Sequence, residues 1–264
     1  MSWNRTLALG LPIALAFAAF SLPLAAATEV PGFTPLLHTV TTASSTNWAG
    51  YAVTGSSKTI TDVKGSWIEP KIQGTCPTKN QYSSFWVGID GYSSSTVEQT
   101  GTDSDCQGGV AVYYAWYEFY PNPSHLISSL TISPGDTISA EVSFAKGNFT
   151  VKLTDVTTAH SFSKKAKVAS AQRSSAEWIA EAPSSLSGIL PLADFGTVDF
   201  GAHYTAVKGT CKATLSGTSG AIGSFANVHV ITMVNKAGTK TKAATSALDT
   251  TGKSFTVTWK SAGP

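Results

Sequence analysis

Charge is what this sequence has least of. Asp, Glu, Lys and Arg together make up 13% of its 264 residues. Low charge alone does not mean disorder here, because hydrophobic residues reach 42% and aromatics 10%. The formal net charge is +2, or +1 once Arg5 leaves with the leader described below. A nucleic-acid binder would carry a basic stripe, so none is expected as a partner. Few carboxylates also means few native ion pairs to lose on acidification. Cysteine is scarce too: Cys76, Cys106 and Cys211 form no C-x-x-C and no Cys/His cluster. That excludes a zinc site of the usual spacing, and no metal or cofactor is expected. Helical periodicity is nearly missing, with Lys164–Gln172 the best and a short candidate.

One long apolar run is present, Leu7–Leu24, broken by Gly10, Pro12 and Pro23. Arg5 is the only charge before Glu29, and the run ends in small residues with Ala25 and Ala27. This is the pattern of a secretory signal peptide over 1–27, whose removal leaves 264 − 27 = 237 residues. With no second such run, the mature chain is expected to be secreted, monomeric and free of the membrane. Pro31, Pro35 and a Ser/Thr cluster make 28–45 a linker or short propeptide. Residues 46–264 then form a single domain. Export permits disulfides, and Cys76 and Cys106 flank the Trp86–Asp103 stretch, so they are expected to be bonded.

The remaining pattern has a period of two. Strands are expected at Asn47–Thr54, Thr59–Ile68, Ser84–Asp90, Val110–Tyr120, Ile127–Ile132, Thr137–Ala145, Asn148–Asp155 and Ala159–Ser163. Others are expected at Ser174–Ala180, Leu192–Phe200, Ala226–Val234, Ala243–Leu248 and Ser254–Trp259, and one carries Gln99. Alternation puts Phe85, Val87 and Ile89 on a core face and Trp86, Gly88 and Asp90 on the other. So many strands with Gly/Pro/Ser turns predict an all-β sandwich or barrel with no substantial helix.

Common hydrolase signatures fail. There is no G-x-S-x-G, no H-E-x-x-H and no D-[ST]-G. The histidines lie at 38, 125, 160, 203 and 229, with no local sign of a Ser/His/Asp triad. What stands out is polar residues beside tryptophans: Asp90 near Trp86, Glu118 near Trp116, Glu177 against Trp178, and Gln99 close to Asp103. A carboxylate in apolar surroundings has a raised pKa, which suits acid chemistry below neutral pH. From local pattern alone, Gln99 reads as a strand amide, Glu177 as the partner of a surface lysine, and Asp90 as a turn residue.

NWAGY at 47–51, FWVGIDG at 85–91, EQTGTD at 98–103, AWYEFYP at 115–121, SAEWIAE at 175–181 and ADFGTV at 193–198 occur in one order. In that order they resemble the glutamic peptidases, the eqolisin or G1 family, formerly A4. The resemblance implies a concanavalin-like sandwich of two large antiparallel sheets. It implies an acid endopeptidase of polypeptide substrates that resists pepstatin and works with a Gln and a Glu. Those are Gln99 in the Q-T-G motif and Glu177 in the A-E-W motif. Trp48, Trp86, Asp90, Asp103, Trp116 and Glu118 would line the cleft, bind the peptide or hold the pair. The chain departs from fungal members at Glu98, where an apolar residue is common, and alternation turns that side chain away from Gln99. It departs again at Tyr114, where some members have Asp. Two other classes fit the same residues: a secreted sugar-binding sandwich, and a glycoside hydrolase using Glu118 and Glu177.

Overall fold

A computed structural model describes residues 39–201, 207 and 210–263. The leader, most of 28–45 and His203 lie outside them. Nineteen strands and one 3₁₀ turn, Ile222–Ser224, make up the regular structure. The strands are β1 (Thr39–Ser45), β2 (Trp48–Thr54), β3 (Ile60–Ile68), β4 (Ser84–Ile89), β5 (Val97–Gln107), β6 (Val110–Tyr120), β7 (His125–Leu126), β8 (Thr137–Ala145), β9 (Asn148–Asp155) and β10 (His160–Ala166). They continue with β11 (Ser175–Glu181), β12 (Ser184–Ser185), β13 (Gly188–Ile189), β14 (Thr197–Phe200), β15 (Lys212–Leu215), β16 (Thr218–Ala221), β17 (Asn227–Val234), β18 (Thr241–Thr245) and β19 (Phe255–Trp259).

The period-two reading holds over most of the chain, and the differences have local causes. Ile127–Ile132, expected as a strand, is a turn segment that buries Ile127, Leu130 and Ile132, with only the Ile127 N–H reaching β6, at Ala115 O. Lys164–Gln172 is the end of β10 and then loop, with no helical turn. Leu192–Phe200 is strand only from Thr197. The span 28–45 ends not as linker but as β1, which pairs with β17 from Thr39 opposite Asn227 to Ser45 opposite Met233. That pairing is parallel, whereas the other pairings between the named strands are antiparallel. Seven residues of Ser, Thr, Val and Ala suit an edge strand, because β-branched side chains fit a pleated surface.

Two layers result. One runs β1-β17-β2-β11-β4-β5-β6-β7. The other centres on β3, with β8, β9 and β10 on one side and β14, β19 and β18 reached on the other. β17 also pairs with β18, so one hydrogen-bonded ladder continues from layer to layer. Between the layers lies the core, including Val87, Trp178, Trp67, Phe85 and Phe200. Two indoles tie the layers across it. The Trp178 Nε1–H donates to Lys64 O at 2.9 Å, and the Trp67 Nε1–H to Thr102 Oγ1 at 2.9 Å. Buried polar groups need such partners, so the tryptophans fix the layers' relative position.

The expected disulfide is present. Cys76 and Cys106 are bonded across 30 residues of sequence, joining the loop after β3 to the end of β5. Cys211 is a buried free thiol, its pKa pushed up to about 12 by burial. Closing a loop of this length restricts the unfolded chain by roughly 3–4 kcal/mol. Replacing both bonded cysteines by serine should therefore lower the unfolding free energy by about that amount, seen as a lower urea midpoint. An unchanged midpoint would show that the bridge does not constrain the unfolded chain. Among the described residues, no helix is long and apolar enough to cross a membrane.

Candidate active site

The outer face of the first layer carries a straight row of polar side chains. Glu177 of β11 stands opposite Gly88 of β4, Gly88 opposite Gln99 of β5, and Gln99 opposite Glu118 of β6. On the other side Glu177 faces Ala52 of β2, and Ala52 faces His229 of β17. Residues paired in register share a face. The backbones of Glu177 and Gln99 are therefore about 10 Å apart, two strand spacings, with only Gly88 in register between them. A Cβ at Gly88 would lie 2.9 Å from Trp86 Cζ3, so glycine there lets the indole lie down between the two.

The next rows along the strands hold the floor. Ile179, Trp86, Gly101 and Trp116 form one, and Glu181, Ser84, Asp103 and Tyr114 another, with Trp48 opposite Glu181. Carboxylates fix the indoles. Trp86 Nε1–H donates to Glu181 Oε2 at 2.8 Å, and Asn47 Nδ2 donates to the other oxygen at 3.0 Å. Trp116 Nε1–H donates to Asp103 Oδ1 at 2.6 Å, while Tyr114 donates its hydroxyl to Asp103 at 2.6 Å and Asp105 at 2.8 Å. Trp48 meets Trp86 edge-on at 5.0 Å. So Trp48, Trp86, Trp116 and Asp103 do gather on the face carrying Gln99, Glu118 and Glu177. Glu181 was missed by the sequence reading. Its signal was available, since counting by two from Glu177 reaches 179 and 181.

Asp90 does not join them. Its Oδ2 accepts the Arg173 N–H at 2.6 Å, and its Oδ1 accepts the Ser174 N–H at 2.9 Å and the Ser174 hydroxyl at 3.2 Å. These contacts suit the turn residue that local pattern suggests, and give Asp90 a role in holding β11 rather than in touching peptide. Its oxygens are spent pinning the segment that enters β11. The residue has φ +72°, a left-handed geometry that turns it out of the strand alternation, and Asp tolerates that geometry better than most.

The electrostatics of the row follow from burial. Glu177 is 0% exposed and Gln99 7%. Neither oxygen of Glu177 meets a partner at full hydrogen-bond geometry, nor do Gln99 Oε1 and Ser175 Oγ. Glu177 is thus not the partner of a surface lysine. Its pKa is pushed well above the usual carboxylate range by burial, with the charges of Asp90 and Glu98 adding to it; the nearby Ser175 hydroxyl and Tyr92 backbone N–H only partly offset this. Gln99 Nε2 donates to Glu118 Oε2 at 2.6 Å. Glu118 is raised to about 7 by burial, against the pull of that bond. Glu181 is also raised to about 7 by burial, against its bonds from Trp86 and Asn47.

Glu98 points away from Gln99, as alternation requires, but not into solvent. It stands between Ile89 and Phe119 on the core side, fully buried, with neither oxygen bonded. Burial there raises it to about 9, with the charge of Asp90 a further cause. Among the described residues no group of three or more His, Cys, Asp or Glu is placed to hold a metal ion. A cavity of about 500 Å³ opens beside the disulfide, lined by Gln73, Cys106, Asp194, Lys240 and Trp259 among others. It shares no residue with the row, which is closed over in this structure.

With this geometry in view, comparison with known proteins gives a consistent result. A family profile described as the peptidase A4 family matches residues 46–259. Aspergillopepsin-2 of Aspergillus niger is 33% identical over 179 residues, 59% of this chain and 62% of that protein. Scytalidopepsin B of Scytalidium lignicola is 37% identical over 97 residues, 36% of this chain and 34% of that protein. The matches thus span less than two thirds of either relative's length. Among solved structures, scytalido-glutamic peptidase with a transition state analog inhibitor superposes with a TM-score of 0.66 at 25% identity, covering 81% of this chain and 98% of that one. Aspergilloglutamic peptidase from Aspergillus niger does so with a TM-score of 0.57 at 31% identity, covering 68% and 99%.

Proposed function

The chain belongs to the peptidase A4 family, the glutamic peptidases, and from that premise we propose that it is a secreted endopeptidase cutting polypeptides at acidic pH without sensitivity to pepstatin. One observation carries the reading furthest. Glu177 and Gln99 lie in one cross-strand row, separated by a glycine, and both hold buried oxygens without partners. Burial favours the protonated form of Glu177. A water and a peptide entering the row supply the hydrogen-bond donors its carboxylate lacks, which favours the ionised base. Glu177 then takes a proton from that water as it attacks the scissile carbonyl, and returns it to the departing amine. Gln99 cannot titrate. One N–H is held by Glu118, leaving its second N–H to stabilise the oxyanion and its carbonyl to orient the water.

Acid operation has a local reason. Below about 7, Glu118 and Glu181 are neutral beside Gln99 and Trp86. Above it they place negative charge next to a developing oxyanion, and the rate should fall. The other classes fit less well. Glu118 and Glu177 stand three strand spacings apart, about 14 Å at the backbone, with Gln99 between them, a poor arrangement for a carboxylate pair on one glycosidic bond. Trp86 is fully buried, so its face is not open to stack a sugar.

The test is digestion of a denatured protein across pH 2 to 7 with pepstatin present. Acid-side cleavage is expected, and Gln99→Ala should reduce it by about 100- to 1000-fold. A folded protein that cleaves nothing in that range overturns the proposal, and full activity in Gln99→Ala overturns the role of Gln99.

A further inference from the structure

Glu177 is fully buried, and the aromatic ring of Tyr92 packs on the apolar cluster of Ala52, Trp86 and Ile179 around it. The row from Glu177 towards β17 passes Ala52, whose methyl leaves room above it, and reaches His229. Both ring nitrogens of His229 are engaged, Nδ1 with Thr41 Oγ1 at 2.5 Å and Nε2 with Thr54 Oγ1 at 3.0 Å. Two threonines on opposite neighbouring strands therefore hold the imidazole in a fixed plane and leave its face for stacking. Tyr92 takes that face, stacked at 4.6 Å with 27° between the planes. Its backbone N–H lies near the Glu177 carboxylate, and its hydroxyl feels that charge, so the residue spans the space from His229 to Glu177.

Tyr92 belongs to the connection between β4 and β5. Gly91 begins it at φ +111°, against the tip of Trp48, where a Cβ would lie 2.9 Å from Cη2. Ser94 braces the turn, accepting the Gly91 N–H and donating to Thr96 O. A scissile bond reaches the fully buried Glu177 only if a neighbour gives way, and Tyr92 is the neighbour carried by a loop rather than a strand. Its departure opens a slot floored by Ala52, walled by the His229 face, and ending at the reacting carboxyl.

We propose that this slot is a substrate subsite for a flat aromatic side chain next to the scissile bond, and that Tyr92 occupies it in the resting protein as an internal surrogate. The proposal rests on the peptidase reading for its substrate class. A peptide carrying Phe or Tyr replaces the stack that Tyr92 gives up, whereas a peptide with a small polar residue opens the slot and recovers nothing.

The experiment uses the full protein carrying Glu177→Gln, so that bound peptide is not consumed. Two acetylated, amidated hexapeptides serve as probes, Gly-Ala-Phe-Ala-Ala-Gly and Gly-Ala-Ser-Ala-Ala-Gly, with binding measured by calorimetry. One aromatic stack corresponds to about a three- to tenfold change in affinity. The Phe peptide should bind tighter than the Ser peptide by that factor. Adding Tyr92→Ala removes the ring that either peptide must displace, so it should tighten both peptides by a similar factor and leave the Phe-over-Ser ratio in place. His229→Gln, which keeps a polar reach towards the threonines but removes the ring, should erase the selectivity. If His229→Gln does not fold, Tyr92→Phe, which keeps the stack, must match the parent while Tyr92→Ala differs. Failure of Tyr92→Ala to tighten either peptide, or selectivity that survives loss of the imidazole, would overturn the subsite. Cleavage by the unsubstituted protein is followed in parallel. Aromatic-selective binding without cleavage would sink the peptidase reading and leave the slot, while cleavage indifferent to Tyr92→Ala would sink the slot alone.

Discussion

Glu177→Gln is expected to reduce peptide cleavage by about 1000-fold or more while raising the melting temperature at neutral pH. The first effect follows from chemistry. A residue that both takes the proton of water and returns it to the amine contributes to two steps, and general acid–base catalysis alone is commonly worth about 100- to 10000-fold. Glutamine has nearly the same shape but neither accepts nor delivers a proton at any working pH. The second effect follows from burial. Glu177 is buried without a bonded partner, and its ionisation is opposed by the charges of Asp90 and Glu98. An unfolded chain ionises freely at pH 7, so the native state carries the penalty of holding the proton. A neutral amide removes that penalty. Digestion rate and thermal unfolding at pH 4 and pH 7 are the measurements. The two effects should separate with pH: activity is lost at both, but stability is gained mainly at pH 7. A variant that keeps a tenth of the activity would remove Glu177 from its proposed role. A variant destabilised at pH 7 would mean that the carboxyl has partners the geometry does not reveal.

How far the sequence carried the description depends on what kind of signal each feature leaves. Strand alternation is a local property, so β6, β8 and β9 were legible to the residue. Alternation also put Phe85, Val87 and Ile89 on one face, and they lie in the core. The face carrying Trp86 and Gln99 was legible for the same reason. Register is not local. Nothing in the order of residues says that Glu177 lies opposite Gly88 rather than Ile89, and a one-residue slip would have turned it into the core. His229 and Glu181 illustrate the two ways of missing a residue. Glu181 could have been found by counting two steps twice from Glu177. His229 could not, because β17 reaches the row only through β2. Asp90 was legible as a turn residue from the glycine after it, whereas the alternation that set it beside Trp86 ran one residue past the strand, into a left-handed position where it no longer applies. β1 was misread because Ser and Thr serve loops and edge strands alike, and only the partner β17 decides between them. Glu98 was placed on the correct face, yet which face was solvent and which was core needed the second layer.

The buried carboxyls lead to the other large expected effect, a fold that weakens as pH rises from 4 to 9. Glu69, Glu118 and Glu181 are raised to about 7, and Glu98 to about 9. Burial is the largest cause in each case. Glu69 is the best satisfied, taking hydroxyl hydrogen bonds from Thr102 and from Ser104, yet burial still wins. In the unfolded chain all four ionise near 4.5. Their native pKa values are higher, so the native state binds more protons than the unfolded state between those limits, and stability falls with pH. At pH 4 both states are protonated and nothing is lost. Between about 4.5 and 7 the unfolded state gains progressively by ionising, and above 7 three of the native groups have ionised too and their loss is complete. Glu98 continues the decline to about 9. One group shifted from 4.5 to about 7 represents ~3 kcal/mol, and because Glu118 acts on Glu181 and Glu98 on Glu177 the contributions do not simply add. His229 opposes the trend. Burial lowers its pKa, so below its unfolded value it costs stability, and Asp249, lowered by its turn hydrogen bonds, loses its contribution in acid. These are one group each against four, and Asp249 is largely solvated. Thermal unfolding in buffers of constant ionic strength should therefore show the melting temperature highest near pH 4 to 5 and falling steadily to pH 9. Glu98→Leu, which replaces the unpartnered core carboxyl by an apolar side chain, should flatten the part of that decline above pH 7. A melting temperature that rises from pH 4 to pH 8 would mean that these carboxyls are hydrated or paired in solution, and with them the acidic character proposed for the row would fall.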